Sequence, residues 1–244
     1  MSFGAAILIF LGGLFAGVVN SIAGGGSLLT VPLLTLAGLD GLTANGTNRI
    51  AVLVQSGSAV RGYTDRSVEG WGEARRVFPP TLIGGGVGAV LVSQIDDQMF
   101  ERVFGLLMIP MLILALWSPA ARTSSEPWPR WVSMLVFFGV GVYAGAIQAG
   151  VGLLLLMVLA RAGHDLVTGN LIKSYVVFGV SVLACVVFIS QGQVAWGPAL
   201  VLASGSGIGG YAGAHIAVEG GEKVIRPVLA IAVLALSGKM IGLY

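Results

Sequence analysis

Two stretches of the chain resemble each other about 124 to 128 residues apart, which confines the fold to two copies of one unit. Gly13-Leu14-Phe15-Ala16-Gly17-Val18-Val19-Asn20 returns as Gly141-Val142-Tyr143-Ala144-Gly145-Ala146-Ile147-Gln148. Gly88-Ala89-Val90-Leu91 returns as Gly213-Ala214-His215-Ile216, and Asn48-Arg49 falls where Ile172-Lys173 lies in the second copy. Repeated halves with hydrophobic segments broken by glycine are the pattern of secondary transporters, whose substrate site lies between the repeats.

The chain's medium follows from its composition. Of its residues 56% are hydrophobic and 10% charged, with a mean hydropathy of +0.92. Soluble domains carry about 25% charged residues, so this chain has too little charge to cover a watery surface. Its long apolar runs suit a bilayer. The net charge of +2 is spread over loops and gives no basic stripe for nucleic acid. The single cysteine, Cys185, lies in an apolar run and reads as a small core residue. His164 and His215 have no cysteine or carboxylate at ligand spacing, so neither a metal nor a cofactor is expected. The first segment is not read as a cleaved signal peptide. No basic residue precedes Arg49, and the segment has a copy in mid-chain.

Ten apolar segments are expected, five per half. The first five cover 4–22, 27–38, 46–62, 77–95 and 101–117; the second five cover 131–149, 151–161, 171–190, 197–217 and 224–242. A Pro- and Ser-rich stretch from Ser118 to Pro129 separates the halves. This gives an N-terminal transmembrane repeat over 1–118, a cytoplasmic linker over 119–130 and a C-terminal repeat over 131–244. Segments two and seven, at 27–38 and 151–161, are each about half as long as a bilayer core and follow glycine clusters. Each is read as a half-helix after a break near mid-membrane, where irregular backbone is tolerated only if buried or lining a cavity.

Basic residues set the expected orientation. Arg61, Arg66, Arg75 and Arg76 place the loop 61–76 in the cytoplasm, and the linker joins it there. The corresponding loop of the second half, 191–196, is uncharged. With an odd number of crossings per half, the second copy enters upside down. The expected fold class is therefore an all-α polytopic membrane protein of two inverted-topology repeats, with Gly-broken half-helices and both termini outside.

Few residues can carry chemistry. Gly24-Gly25-Gly26-Ser27 opens a half-helix with Ser27 as its expected N-cap, an arrangement suited to an anion. Gly150 and Gly152 form a weaker second cradle. The bland reading of both is close helix packing through small residues. Asn20 and Gln148 are matched carboxamides before the breaks, able to bond a ligand or freed backbone. Arg49 and Lys173 are matched cations, either facing one central anion or snorkelling from a helix end. Asn45, Thr47 and Asn48 add hydrogen-bonding groups beside Arg49. Gln55, Ser56 and Ser58 interrupt segment three and either line the path or bond neighbouring helices. Every Asp and Glu lies in a loop or at a segment end, which disfavours cation transport and carboxylate proton relays. No nucleophile with a base, nor paired carboxylates, suggests an enzyme; no catalytic residue is assigned.

At these residues the chain resembles the TauE/SafE family of sulfite-exporter-like membrane proteins. The resemblance covers nearly the whole chain. It is strongest at Gly17-Val18-Val19-Asn20-Ser21-Ile22-Ala23-Gly24-Gly25-Gly26-Ser27, at Val31-Pro32-Leu33-Leu34 and at Ala44-Asn45-Gly46-Thr47-Asn48-Arg49. The second half departs from the family pattern: Gln148-Ala149-Gly150-Val151-Gly152 stands where a fuller glycine run is common, with no following proline. The resemblance implies export of sulfite or an organosulfonate across the inner (cytoplasmic) membrane. The expected partners are that small anion and the lipid bilayer, with a homodimer left open. Uptake of a sulfonate or other organic anion, and a non-transport membrane scaffold, are the alternatives.

Overall fold

The structure is a computed structural model that describes residues 2–117 and 128–220. Among these residues it contains α1 (Phe3–Ala23), α2 (Ser27–Leu36), α3 (Gly41–Asp65), α4 (Trp71–Ser93), α5 (Asp97–Trp117), α6 (Arg130–Ala146), α7 (Val151–Arg161), α8 (Leu166–Ser190) and α9 (Trp196–Val218), and no strand. The expected tenth segment, 224–242, and nearly all of the linker lie outside the described residues.

Two starts differ from the sequence expectation for the same reason. α3 begins at Gly41 rather than 46, and α8 at Leu166 rather than 171. A polar stretch, Thr43-Ala44-Asn45 in α3 and Thr168-Gly169-Asn170 in α8, separates each start from the apolar run, but each helix follows an aspartate that caps it. Asp40 accepts from the Thr43 amide at 2.8 Å; Asp165 accepts from Val167 and Thr168 at 2.9 and 3.0 Å. The shared Asp-x-x-Thr spacing is an N-cap signal legible in the sequence.

Among the described residues three helices, α1, α4 and α8, are long and apolar enough to cross a membrane. The outer surface is apolar: Leu8, Ile83, Leu106, Leu135, Val186 and Leu200 all point away from the protein. In water such a surface would be a liability, whereas lipid tails solvate it. The chain is a multi-pass, all-α membrane protein.

Glycine drives the main pairings. α1 runs along α9, and α4 along α6. A Cβ on Gly13 would meet the Leu202 carbonyl at 2.7 Å, and one on Gly213 the Val18 carbonyl at 2.7 Å. Gly84 and Gly88 of α4 face the backbone of α6 in the same way, and Gly141 and Gly145 face α4. Small residues four apart let backbones approach where the hydrophobic effect no longer drives association. Between these pairs lie α3 and α8, packed on each other; α3 also packs on α9, and α8 on α4.

The helix ends agree on sides. Arg66, after α3, pairs with Glu219, after α9, at 2.7 Å. Gln193, in the loop before α9, donates to the Ser93 carbonyl at the end of α4 at 3.3 Å.

Candidate functional site

The two broken regions meet at the centre. Gly24 ends α1 in the left-handed conformation, with φ 79°, and its backbone abuts Gly152: a Cβ there would stand 2.5 Å from the Gly152 carbonyl carbon. Gln148 and Gly150 are also left-handed, with φ 66° and 71°. For glutamine this is an uncommon backbone. Ser27 joins the breaks. It is not the N-cap: that position belongs to Gly26, and Ser27 is the first helical residue. Its hydroxyl instead donates to the Gln148 carbonyl and accepts from the Gly150 amide, both at 3.1 Å. Gly25 contributes a carbonyl that accepts from Leu28 at 3.1 Å as α2 starts.

Both cations are fully buried, well inside their helices rather than snorkelling from the ends. Arg49 of α3 reaches the end of α6. It donates to the carbonyls of Ala144 and Gly145, at 2.5 and 2.8 Å, and to Gln148 Oε1 at 2.7 Å. The guanidinium carbon lies 5.5 Å from the centre of the Phe188 ring. Lys173 of α8 reaches the end of α1, donating to the carbonyls of Asn20 and Ser21 and to Asn170 Oδ1. The flanking carboxamides follow the same rule: Asn45 donates to Ala146 O and Asn170 to Ile22 O, both at 2.9 Å. Each half thus binds the last carbonyls of the other half's broken helix. A helix C-terminus carries partial negative charge, which favours a cation there. Among the described residues, neither cation has a carboxylate partner.

Two narrow cavities flank this centre. The first is lined by Asn20, Ser27, Thr30, Asn48, Gln55 and Ser206, with Gly26 in its wall, and by no charged side chain. The second is lined by Gln55, Ser56, Gln148, Lys173 and Ser174, with Asn20 and Gly152. Both are constricted, the first to about the space of a water molecule. Asn20 and Gln55 belong to both, and their side chains bond at 2.7 Å where the cavities adjoin. Gln55 also donates to Ser21 Oγ at 3.0 Å, and Ser21 to the Gly210 carbonyl at 2.9 Å.

The structure therefore gathers Asn20, Gly26, Ser27, Asn48, Gln148, Gly152 and Lys173 around the cavities. It puts Gly24, Gly25 and Gly150 in the breaks, and Asn45 and Arg49 on the end of α6; these five line neither cavity. Gln55 and Ser56 line these cavities and also bond neighbouring helix groups, whereas Ser58 borders an open groove between α3 and α9. Thr30, Ser174 and Ser206 escaped the sequence reading, because hydroxyls inside apolar helices carry no periodic signal. Asn170 was legible as a copy of Asn45 once the Asp40 and Asp165 caps are aligned.

The arrangement defines, among the described residues, an all-helical membrane protein with cationic and amide groups buried at its centre. The sequence profile of the sulfite exporter TauE/SafE family matches residues 9–240, and the chain belongs to that family. It is similar to the probable membrane transporter protein ORF9 of a Sinorhizobium species, with 26% identity over 99% of this chain and 94% of that one. A probable membrane transporter protein of Haemophilus influenzae is 24% identical over 96% of this chain and 93% of its own length. The probable membrane transporter protein YfcA of Escherichia coli is 26% identical, over 96% of this chain and 88% of its own. The protein is a membrane transporter.

Proposed function

We propose that the protein exports a small sulfur oxyanion, sulfite or an organosulfonate, across the cytoplasmic membrane. The observation that carries this is the burial of Arg49 and Lys173 with no carboxylate bonded to either among the described residues. Intramembrane charges are costly and mark functional sites by default. Helix C-termini neutralise these two only in part, so the centre keeps a positive potential that attracts an anion and repels a cation. The family's name supplies the sulfur chemistry.

In this reading residues 1–118 and 131–244 are two inverted-topology repeats joined by a cytoplasmic linker. The exchange of helix pairings between halves supports it, as does the exchange of carbonyl bonds by Arg49 and Lys173. The anion passes the two central cavities. Lys173 supplies charge and Asn20, Ser27, Asn48 and Gln148 supply hydrogen bonds, while Arg49 acts through the field and by holding α6. Gly24, Gly25, Gly26, Gly150 and Gly152 let the breaks approach closely, and Asn45 secures the end of α6. An inside-negative potential favours outward movement of an anion by about 2.3 kcal/mol per charge per 100 mV, so uniport suffices.

The test is release from liposomes containing the purified protein, loaded with sulfite, a sulfonate or a monovalent cation. The reading expects potential-driven sulfite release and no cation release. Accumulation of the sulfonate without sulfite release would favour the importer instead.

A further inference from the structure

The first cavity presents an unmatched pair of groups. Asn48 is completely buried, and both its Nδ2 and its Oδ1 lack a hydrogen-bond partner. Swapping the amide's orientation changes nothing, since a donor group and an acceptor are left without partners either way. A buried amide without partners costs free energy comparable to a lost hydrogen bond for each group. Its neighbours are occupied. Ser27 is bonded to Gln148 and Gly150, Thr30 to the Ser27 carbonyl, and Gln55 to Asn20 and Ser21. Asn48 is the amide left to meet a ligand.

We infer that this cavity is a binding subsite for the monoprotonated form of an oxyanion, with Asn48 as the residue that reads the proton. The inference rests on the transport reading above. An oxyanion with one O–H satisfies both groups: its hydroxyl donates to Oδ1, and a charged oxygen accepts from Nδ2. A dianion offers acceptors alone. It would set its charge against Oδ1 in a cavity with no charged side chain to offset the cost. The same logic makes an amide-lined site favour a ligand that carries the matching hydroxyl over a dianion that lacks it. The second cavity, which holds Lys173, has no need for that proton. The two subsites lie in series, divided by the Asn20–Gln55 bond. The walls must part for the anion to enter, because the closed space is no larger than a water needs.

The experiment compares two probes in liposomes containing the full-length protein, after subtraction of release from protein-free vesicles. Sulfite exchanges its second proton across neutral pH; methanesulfonate keeps one charge and has no O–H. Sulfite release by the unmodified protein should fall as the monoprotonated fraction falls, while methanesulfonate release stays level. Asn48→Leu, which keeps the shape, should lower sulfite release about tenfold and methanesulfonate release by less than about twofold, since one unmatched buried group is worth that ratio. Equal pH responses of the two probes, or equal losses in the variant, would overturn the inference. So would release of methanesulfonate without sulfite, which leaves anion transport standing. Release of neither by the unmodified protein would overturn the transport reading itself. The pH comparison needs only the unmodified protein, so a variant that misfolds does not decide the matter.

Discussion

Lys173 holds the Asn20 carbonyl at the end of α1, and Arg49 holds the Ala144 carbonyl at the equivalent end of α6. Both partners shift by about 124 positions, the spacing of the repeated segments, so the contact is one device used twice. Its effect is mutual. A break in mid-course frees carbonyls from helical partners: Arg49 meets those of Ala144 and Gly145, whereas the Asn20 carbonyl keeps the Gly24 amide and takes Lys173 as a second donor.

Ser27→Ala tests the junction of the breaks. The hydroxyl makes one bond to each side of the second break, to Gln148 and Gly150. Its loss strands the Gly150 amide, while the Gln148 carbonyl keeps its bond from the Val151 amide, at a cost of about 1–3 kcal/mol. A lower unfolding temperature in detergent is expected, measured by intrinsic fluorescence. No change would mean that the junction does not hold the breaks.

Gly26→Ala and Gly152→Ala test close approach. A Cβ on Gly26 would fall 2.7 Å from Asn20 Cβ and closer still to the Ala16 carbonyl; one on Gly152 would fall 2.6 Å from the Gly24 Cα. Overpacking of this kind costs about 1–3 kcal/mol or more. Both variants should yield less folded protein by gel filtration, whereas Gly4→Ala, with nothing within 4 Å, should match the parent.

The Asn20–Gln55 bond predicts a polar penalty. Gln55→Leu removes the acceptor of Asn20 Nδ2 and the donor to Ser21 Oγ. A destabilisation of about 1–3 kcal/mol is expected by thermal unfolding, against a fraction of that for Val54→Ala on the exposed face.

Acid should weaken the starts of α3 and α8. Partial burial raises the pKa of Asp40, but bonds from the Thr43 side chain and amide outweigh it and leave the carboxyl below its ordinary value. For Asp165, burial is likewise outweighed by the Thr168 side chain and the Thr168 and Val167 amides. Each folded pKa lies below the unfolded one. The stability they add is therefore present above the unfolded pKa and lost as pH falls through the folded one. Asp40→Asn and Asp165→Asn keep a capping oxygen and should flatten the acid limb of stability against pH. An unchanged limb would assign acid sensitivity elsewhere.

Much of this was legible in the sequence, for physical reasons. α7 begins and ends where expected, at Val151 and Arg161, because its glycine break and apolar run are sharp. The apolar runs give later starts for α3 and α8 because hydropathy breaks at Asn45 and Asn170 and does not register the caps at Asp40 and Asp165. The matching of Arg49 with Lys173 was visible, but not what they bind. Carbonyl acceptors belong to the backbone and leave no trace in residue type, so the sequence pointed to one anion between two cations. The structure gives each cation a helix end, and of the two it is Lys173 that lines one of the two central cavities.

The most direct test is potential-driven sulfite release from liposomes by Lys173→Met and Arg49→Met, each matched to the parent in folded protein by gel filtration. The account predicts that Lys173→Met abolishes release, because the charge lining the second cavity is gone. Arg49→Met should reduce it strongly, because the positive field and the hold on α6 are lost. Undiminished release in both variants would contradict an anion path between the two halves.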